Sequence, residues 1–204
     1  LQRGLPSMIQ SDRVQYPVCV KPRRMGRGSI DVHLAAAPAE LDALLATLDD
    51  PLVQQVAAGV EYTIDVLCDF TGRVVNGVIR QRSETKAGVS YKGKTVRNQD
   101  VLQQAAALAE ALPIVGPANL QCFWDGDEAT FFEINPRYSG TLALSIAAGF
   151  NSPHELLRLH RGLAVPRQLG AYREDVSMYR FWQEIIVDEE RSELSMPFGG
   201  MTSV

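Results

Sequence analysis

Hydrophobic positions along the chain follow two periods, and the switches between them delimit its elements. The run YPVCVK, Tyr16 to Lys21, is rich in β-branched and aromatic residues and predicts a short buried strand that ends at Lys21. The segment PRRMGRGS that follows holds too much Gly, Arg and Pro for helix or strand and predicts an exposed loop. After Pro38, Leu41, Leu44, Leu45 and Leu48 fall at i, i+3, i+4 and i+7, the spacing of one buried helix face, and the helix should end near Asp49-Asp50-Pro51. The stretch PLVQQV then reads as a short strand, with a turn around Gly59. In EYTIDVLCDF the residues Tyr62, Ile64, Val66 and Cys68 share one face of a strand, and Thr71-Gly72 closes a hairpin into RVVNGVIRQR.

From Ser83 to Asn98 the chain is polar and has no hydrophobic period, which predicts a mobile loop. Asp100 is the expected cap of an Ala-rich helix running through Leu112. Two strands, ANLQCFW and EATFFEIN, are joined at Asp125-Gly126-Asp127, and two short helices follow in SGTLALSIAAGF and PHELLRLHRG. Beyond Gly162 the pattern fades, except for an aromatic run around Tyr179, Phe181 and Trp182 that suits an edge strand. Hairpins outnumber strand-helix-strand crossovers, so the expected class is α+β with antiparallel sheets. The divisions are a small unit at residues 1–58, a larger unit at 59–163, and an extension at 164–204 whose role stays open between a helper strand, a homodimer contact and a connection to a further domain.

Composition narrows the function. At 204 residues and 46% hydrophobic content the chain can bury a substantial core. A formal charge of -4 without any basic run argues against a nucleic acid partner. No stretch approaches the roughly 20 apolar residues that span a bilayer, and Leu1 to Gln10 lack the regions of a signal peptide. Cys19, Cys68 and Cys122 each sit in an apolar run with no metal-ligand spacing, as expected of reduced core thiols in a cytoplasmic protein. The chain opens on Leu and stops in what reads as loop, as a portion of a longer product would.

The sharpest chemical signal is FFEINPRYSG. Glu133 and Asn135 lie two apart on a strand and point to one face, and the hairpin should bring Gln121 beside them. One carboxylate with two amide oxygens is a hard donor set suited to Mg2+. Arg137, just past Pro136, is placed to stabilise negative charge during phosphate transfer. Alone, Glu-x-Asn reads equally as a polar strand end. A second constellation asks for the same ligand: Lys21 at a strand end, then Arg23, Arg24, Gly26, Arg27 and Gly28, offers cations and backbone N–H groups to phosphates, in neither the P-loop nor the dinucleotide glycine order. A third is QQVAAGVEYTIDV, where Gln54 and Gln55 end one strand and Glu61 begins the next. Such a segment can meet an adenine edge and ribose hydroxyls, although by itself it is an ordinary hairpin. Arg80, Arg82 and Lys86 are candidates to bind an acidic group or members of a solvated surface loop. His33, His154 and His160 fall on predicted element surfaces, with no nucleophile–base arrangement in view.

Taken in order, YPVCVKPRRMGRGS, QQVAAGVEYTIDV, NLQCF and FFEINPRYSGT resemble the ATP-grasp superfamily, and are most similar to the carbamoyl phosphate synthetase large subunit and its stand-alone relatives. The resemblance implies two α+β subdomains enclosing ATP and Mg2+, with Mn2+ the alternative ion. It implies that Lys21 contacts the phosphates and that the loop from Arg23 through Gly26 and Gly28 to Ser29 folds over them. Gln54, beside Gln55, stands where a glutamate commonly reaches the adenine amino group; Ala57 matches the hinge and Glu61 the ribose ligand. Gln121, Glu133 and Asn135 match the metal ligands, and Arg137 the arginine that steadies the transferred phosphoryl group. The implied reaction passes the γ-phosphoryl to a carboxylate, bicarbonate or carbamate, and an amine or ammonia then attacks the acyl phosphate. A peptide-type carboxylate–amine ligase and a non-catalytic ATP-binding module working with a partner domain are the alternatives. Complete members carry an α/β domain ahead of the small unit; this chain starts almost at that unit, so the expectation is that the domain is absent, supplied by another polypeptide, or simply outside this stretch of sequence.

Overall fold

A computed structural model describes residues 14–24, 31–86 and 89–181, with side chains at all of these except 83–86 and 89–91. The elements in order are β1 (Val18–Pro22), β2 (His33–Ala35), α1 (Pro38–Thr47), β3 (Pro51–Gln55), β4 (Val60–Cys68), β5 (Val74–Lys86), β6 (Val89–Val96), α2 (Gln99–Ala111), β7 (Gly116–Trp124), β8 (Ala129–Asn135), α3 (Leu142–Ala147), α4 (Ser152–His160) and β9 (Ser177–Tyr179). They build two antiparallel sheets, β2-β1-β3 and β8-β7-β4-β5-β6-β9.

Each sheet has its own core. In the smaller one the leucine stripe of α1 covers the strands: Leu41 is buried with Val18, Val20 and Ala35, and Leu44, Leu45 and Leu48 pack around them. In the larger one, Ile64, Val66 and Cys68 on β4 pack with Leu120 and Cys122 on β7 and with α2 through Val101, Leu102, Ala105, Ala106 and Ala109. The alanines let the helix lie close to the strands. Burial pushes the Cys68 thiol up to about 11, helped by the nearby carboxylates Glu110 and Asp69, and the Cys122 thiol up to about 12. Cys19 is half-buried, and all three cysteines are free. No helix among the described residues is long and apolar enough to cross a membrane.

Gly59 links the two sheets. Its φ is +109°, and a Cβ there would stand 2.1 Å from the Trp124 carbonyl oxygen. Only glycine lets the chain pass this close to the end of β7 on entering β4.

Several expectations are corrected. Ser83 to Asn98 is mostly a hairpin rather than a mobile loop, with β5 continuing to Lys86 and β6 running from Val89 to Val96. The alternation is present, but its inward positions are Gly93 and Thr95, both buried and neither hydrophobic, so no apolar period is visible. Helix α2 is capped by Asn98, whose side chain accepts from the Val101 N–H at 3.1 Å; Asp100 lies in the first turn, where its charge favours the helix dipole. The short strand β2, antiparallel to β1, was not expected, although Val32 and Leu34 alternate with polar neighbours there.

Residues 164–181 bind along the large unit as a strap. Arg167 Nη1 donates to Glu110 Oε1 at 2.6 Å, the Gln168 N–H donates to the Val75 carbonyl at 2.8 Å, and the Tyr172 hydroxyl donates to the Val96 carbonyl at 2.6 Å. Thr95 donates its hydroxyl to the Arg173 carbonyl, and β9 then adds to the β6 edge, in keeping with the aromatic run around Tyr179; Trp182 lies outside the described residues.

Candidate active site

The face of the large sheet opposite α2 is polar, and strand alternation accounts for it. Hydrogen-bond register sets Gln121 on β7 directly across from Glu133 on β8, Asn119 across from Asn135, and Thr63 and Asp65 of β4 across from Gln121 and Asn119. A bulge after Gln121 shifts the remaining β7–β8 pairs, so that Cys122 meets Phe131, and the Phe123 and Phe132 rings stack at 5.0 Å. Gln121, Glu133 and Asn135 thus share one face within a register step.

At the outer end of this face Asn135 Nδ2 donates to Glu133 Oε1 at 2.6 Å. The chain then turns sharply, with the Arg137 N–H bonded to the Asn135 carbonyl at 2.8 Å. Arg137 is exposed; its Nη1 donates to the Tyr138 carbonyl at 3.0 Å and its Nη2 reaches Asn135 Oδ1 at 3.5 Å. Among the described residues Glu133 Oε2 has no hydrogen-bond partner, and no three His, Cys, Asp or Glu side chains cluster. The donors are therefore one open carboxylate and two amides, a hard-oxygen set compatible with a divalent ion that takes its other ligands from phosphate or water.

Beside this set Glu61 Oε1 accepts from Arg82 Nη1 at 2.5 Å, and the same nitrogen lies 3.5 Å from Gln121 Oε1. Arg82 joins the carboxylate at the start of β4 to the amide on β7. Gln54 and Gln55 sit on β3 opposite Cys19 and Val18 of β1; Gln55 is exposed and its Nε2 donates to the Gln15 carbonyl, and half-buried Ala57 lies on the link toward Gly59. Lys21 is on β1 opposite Leu52. Arg23 is engaged by Asp50, through side chain at 3.2 Å and backbone at 3.0 Å. Gly26, Gly28 and Ser29 lie outside the described residues.

Sequence reasoning misread Arg80 and missed what surrounds it. Arg80 does not lie on a loop open to an acidic ligand. It is on β5 with its side chain 3% exposed, and its Nη2 donates to Asp65 Oδ1 at 2.8 Å. Asp65 also accepts from Asn119 Nδ2 at 2.8 Å and Ser145 Oγ at 2.6 Å; Arg80 also reaches Ser139 Oγ at 2.9 Å and the Thr141 hydroxyl. The signal was available: a charged residue inside each of two neighbouring strands, TIDVL and VIRQR, is costly unless the two meet. Arg82 is likewise occupied, by Glu61, and the Lys86 side chain lies outside the described set.

Known proteins share this architecture. The biotin carboxylase domain of Hydrogenobacter thermophilus 2-oxoglutarate carboxylase, solved with MgADP, ADP and bicarbonate, matches with a TM-score of 0.64 at 14% identity, over 82% of this chain and 41% of that one. N5-carboxyaminoimidazole synthetase from Staphylococcus aureus, complexed with ADP, matches with a TM-score of 0.61 at 16% identity, over 74% of this chain and 43% of that one. In sequence, the chain is 30% identical over 153 residues to the carbamoyl phosphate synthase large chain of Synechocystis sp., and 27% identical over 146 residues to that of Agathobacter rectalis. These alignments take in 67% and 65% of this chain, which spans 14% of the length of either relative. Residues 47–181 match the sequence profile of a family described as ATP-grasp in the biosynthetic pathway with Ter operon, and with that match over most of its length the chain belongs to this ATP-grasp family.

Proposed function

We propose that the chain is the nucleotide- and metal-binding part of an Mg-ATP-dependent ligase that activates a carboxylate, bicarbonate or carbamate as an acyl phosphate, in the manner of carbamoyl phosphate synthase. The observation that carries this reading is the pairing of Gln121 with Glu133 across β7 and β8, with Asn135 two residues on and Arg137 at the turn. Gln121, Glu133 and Asn135 would hold the metal, which when bound neutralises phosphate charge. The similarity to carbamoyl phosphate synthase large chains supports the narrower reading over a peptide-type ligase.

The chain's own groups act by position and charge. Phosphoryl transfer asks little covalent chemistry of a protein and much alignment of donors around the moving group. Arg137, exposed beside the metal set, supplies a guanidinium where charge develops on the transferred oxygens. Glu61 offers a carboxylate to the ribose hydroxyls, and Arg82 holds that carboxylate and Gln121 in mutual register from 2.5 and 3.5 Å. Lys21 contacts the phosphates, and the Gln54–Ala57 strand end meets the adenine edge. Residues 1–58 serve as the small subdomain and 59–163 as the large one.

Isothermal titration of ATP with and without Mg2+, into the full chain and into Glu133→Ala, tests this. Magnesium-dependent binding lost in the variant is the expected result. Binding indifferent to magnesium, or equal in both proteins, overturns the metal assignment; ADP release stimulated by amino acids rather than by bicarbonate with ammonia overturns the narrower activity.

A further inference from the structure

The Asp65–Arg80 pair stands outside the chemistry proposed above, yet it lies on the same face of the sheet and is buried on its interior strands β4 and β5. A buried ion pair is poor evidence of stability, because well-packed apolar residues of similar volume often hold a fold as well or better. What the charges can specify is one arrangement of the groups that satisfy them. The groups satisfied here belong to the turn that carries Arg137.

Asp65 reaches that turn from both sides. On one side it holds Asn119 at 2.8 Å, the residue directly across from Asn135, where the turn begins. On the other, Arg80 Nη2 donates to Ser139 Oγ at 2.9 Å, and Ser139 Oγ lies 3.4 Å from Asp65 Oδ2. Just beyond, Arg80 binds the Thr141 hydroxyl, and Ser145 on α3 donates to Asp65 Oδ2 at 2.6 Å. Among the described residues Arg137 is fastened to the Tyr138 carbonyl and to Asn135. Its position relative to Glu133 is therefore inherited from the anchored residues on either side.

We propose that Asp65 and Arg80 are positioning residues, which set the turn at residues 135–139 so that Arg137 meets the terminal phosphate of a bound nucleoside triphosphate. Ser139, Thr141 and Ser145 carry the hydroxyls through which they act. The inference rests on the nucleotide site proposed above.

The test compares affinities of Mg-ATP and Mg-ADP by calorimetry, since only the triphosphate carries the phosphoryl group that Arg137 addresses. The variants are Arg137→Ala and the double substitution Ser139→Ala/Ser145→Ala, which removes the hydroxyl on the turn and the one on α3 while leaving the Asp65–Arg80 pair, its Asn119 partner and the Arg80–Thr141 bond in place. Asp65→Asn is added if it folds. In the double variant Mg-ADP should bind within about twofold of the parent, while the preference for ATP over ADP falls about tenfold, toward that of Arg137→Ala, as expected for one charge-assisted contact. A double variant with a lowered melting temperature and an unchanged ATP-to-ADP ratio overturns the proposal, because the network is then structural only. An ATP-to-ADP ratio unmoved by Arg137→Ala also overturns it. Absence of magnesium-dependent ATP binding in the parent chain instead removes the site on which the inference stands.

Discussion

Asp65, Glu110 and Glu133 are three carboxylates of one subdomain held in three different ways. Asp65, with 6% of its side chain exposed, is ringed by donors: an arginine, an asparagine and a serine. Glu110, about a third exposed, accepts from Arg167 and from the Val74 N–H and so fastens the strap of residues 164–181 to the sheet. Glu133 is exposed, has Asn135 as a neighbour and, among the described residues, keeps one oxygen without a partner. A saturated carboxylate has no capacity left for a ligand, whereas one held on a rigid strand with an oxygen to spare does. The contrast separates architecture from chemistry more clearly than sequence distance, because Asn119, bonded to Asp65, is only two residues from Gln121, across from Glu133.

The contrast is broken most directly at Asp65. Replacing it by alanine leaves Arg80 buried without its carboxylate and should cost about 3–5 kcal/mol in urea unfolding; a loss near that of a surface substitution would show that the closed end is not closed. A smaller effect is expected at Glu110, and it should depend on pH. Hydrogen bonds from the Arg167 guanidinium and then the Val74 N–H hold the Glu110 carboxyl below its usual range, so its stabilising effect is present above the unfolded value of about 4.3 and is lost as pH falls through the lower folded value. Glu110→Gln should therefore lower stability at neutral pH and flatten the acid limb of the stability profile below about pH 5; an acid limb parallel to that of the parent chain would remove this assignment. Smallest of all is Glu133→Ala, which should change unfolding free energy by no more than about 0.5 kcal/mol while abolishing the magnesium dependence of ATP binding. A large stability loss at Glu133 would move it into the same class as Asp65.

Much of the fold was legible along the chain, and the reasons are local. The leucines at 41, 44, 45 and 48 and the alternation of Tyr62, Ile64, Val66 and Cys68 each bury one face, so hydrophobic period and structure agree there. The β5–β6 hairpin was not legible, because Gly93 and Thr95 fill its buried positions without being apolar. The extension's role stayed open along the chain because its hydrogen bonds to backbone carbonyls and to Glu110 leave no periodic trace, and its core residues Val165 and Tyr172 belong to no regular element. Arg80 was misread because the charges inside TIDVL and VIRQR were not set against each other across the β4–β5 hairpin, which is what marks a buried, paired cation.

The sequence by itself determined the α+β class, the strands that carry Glu133 and Asn135, and the resemblance through which their role was read, since strand period and residue type are local properties. The hairpin at Asp125–Asp127 already pointed to Gln121 beside Glu133; tertiary structure alone decided that a bulge follows Gln121, that Arg82 lies between Glu61 and Gln121, and that Asp65 and Arg80 pair on the same face. Those facts depend on register between strands and on which side chains exclude water together, and neither quantity exists until the chain has folded.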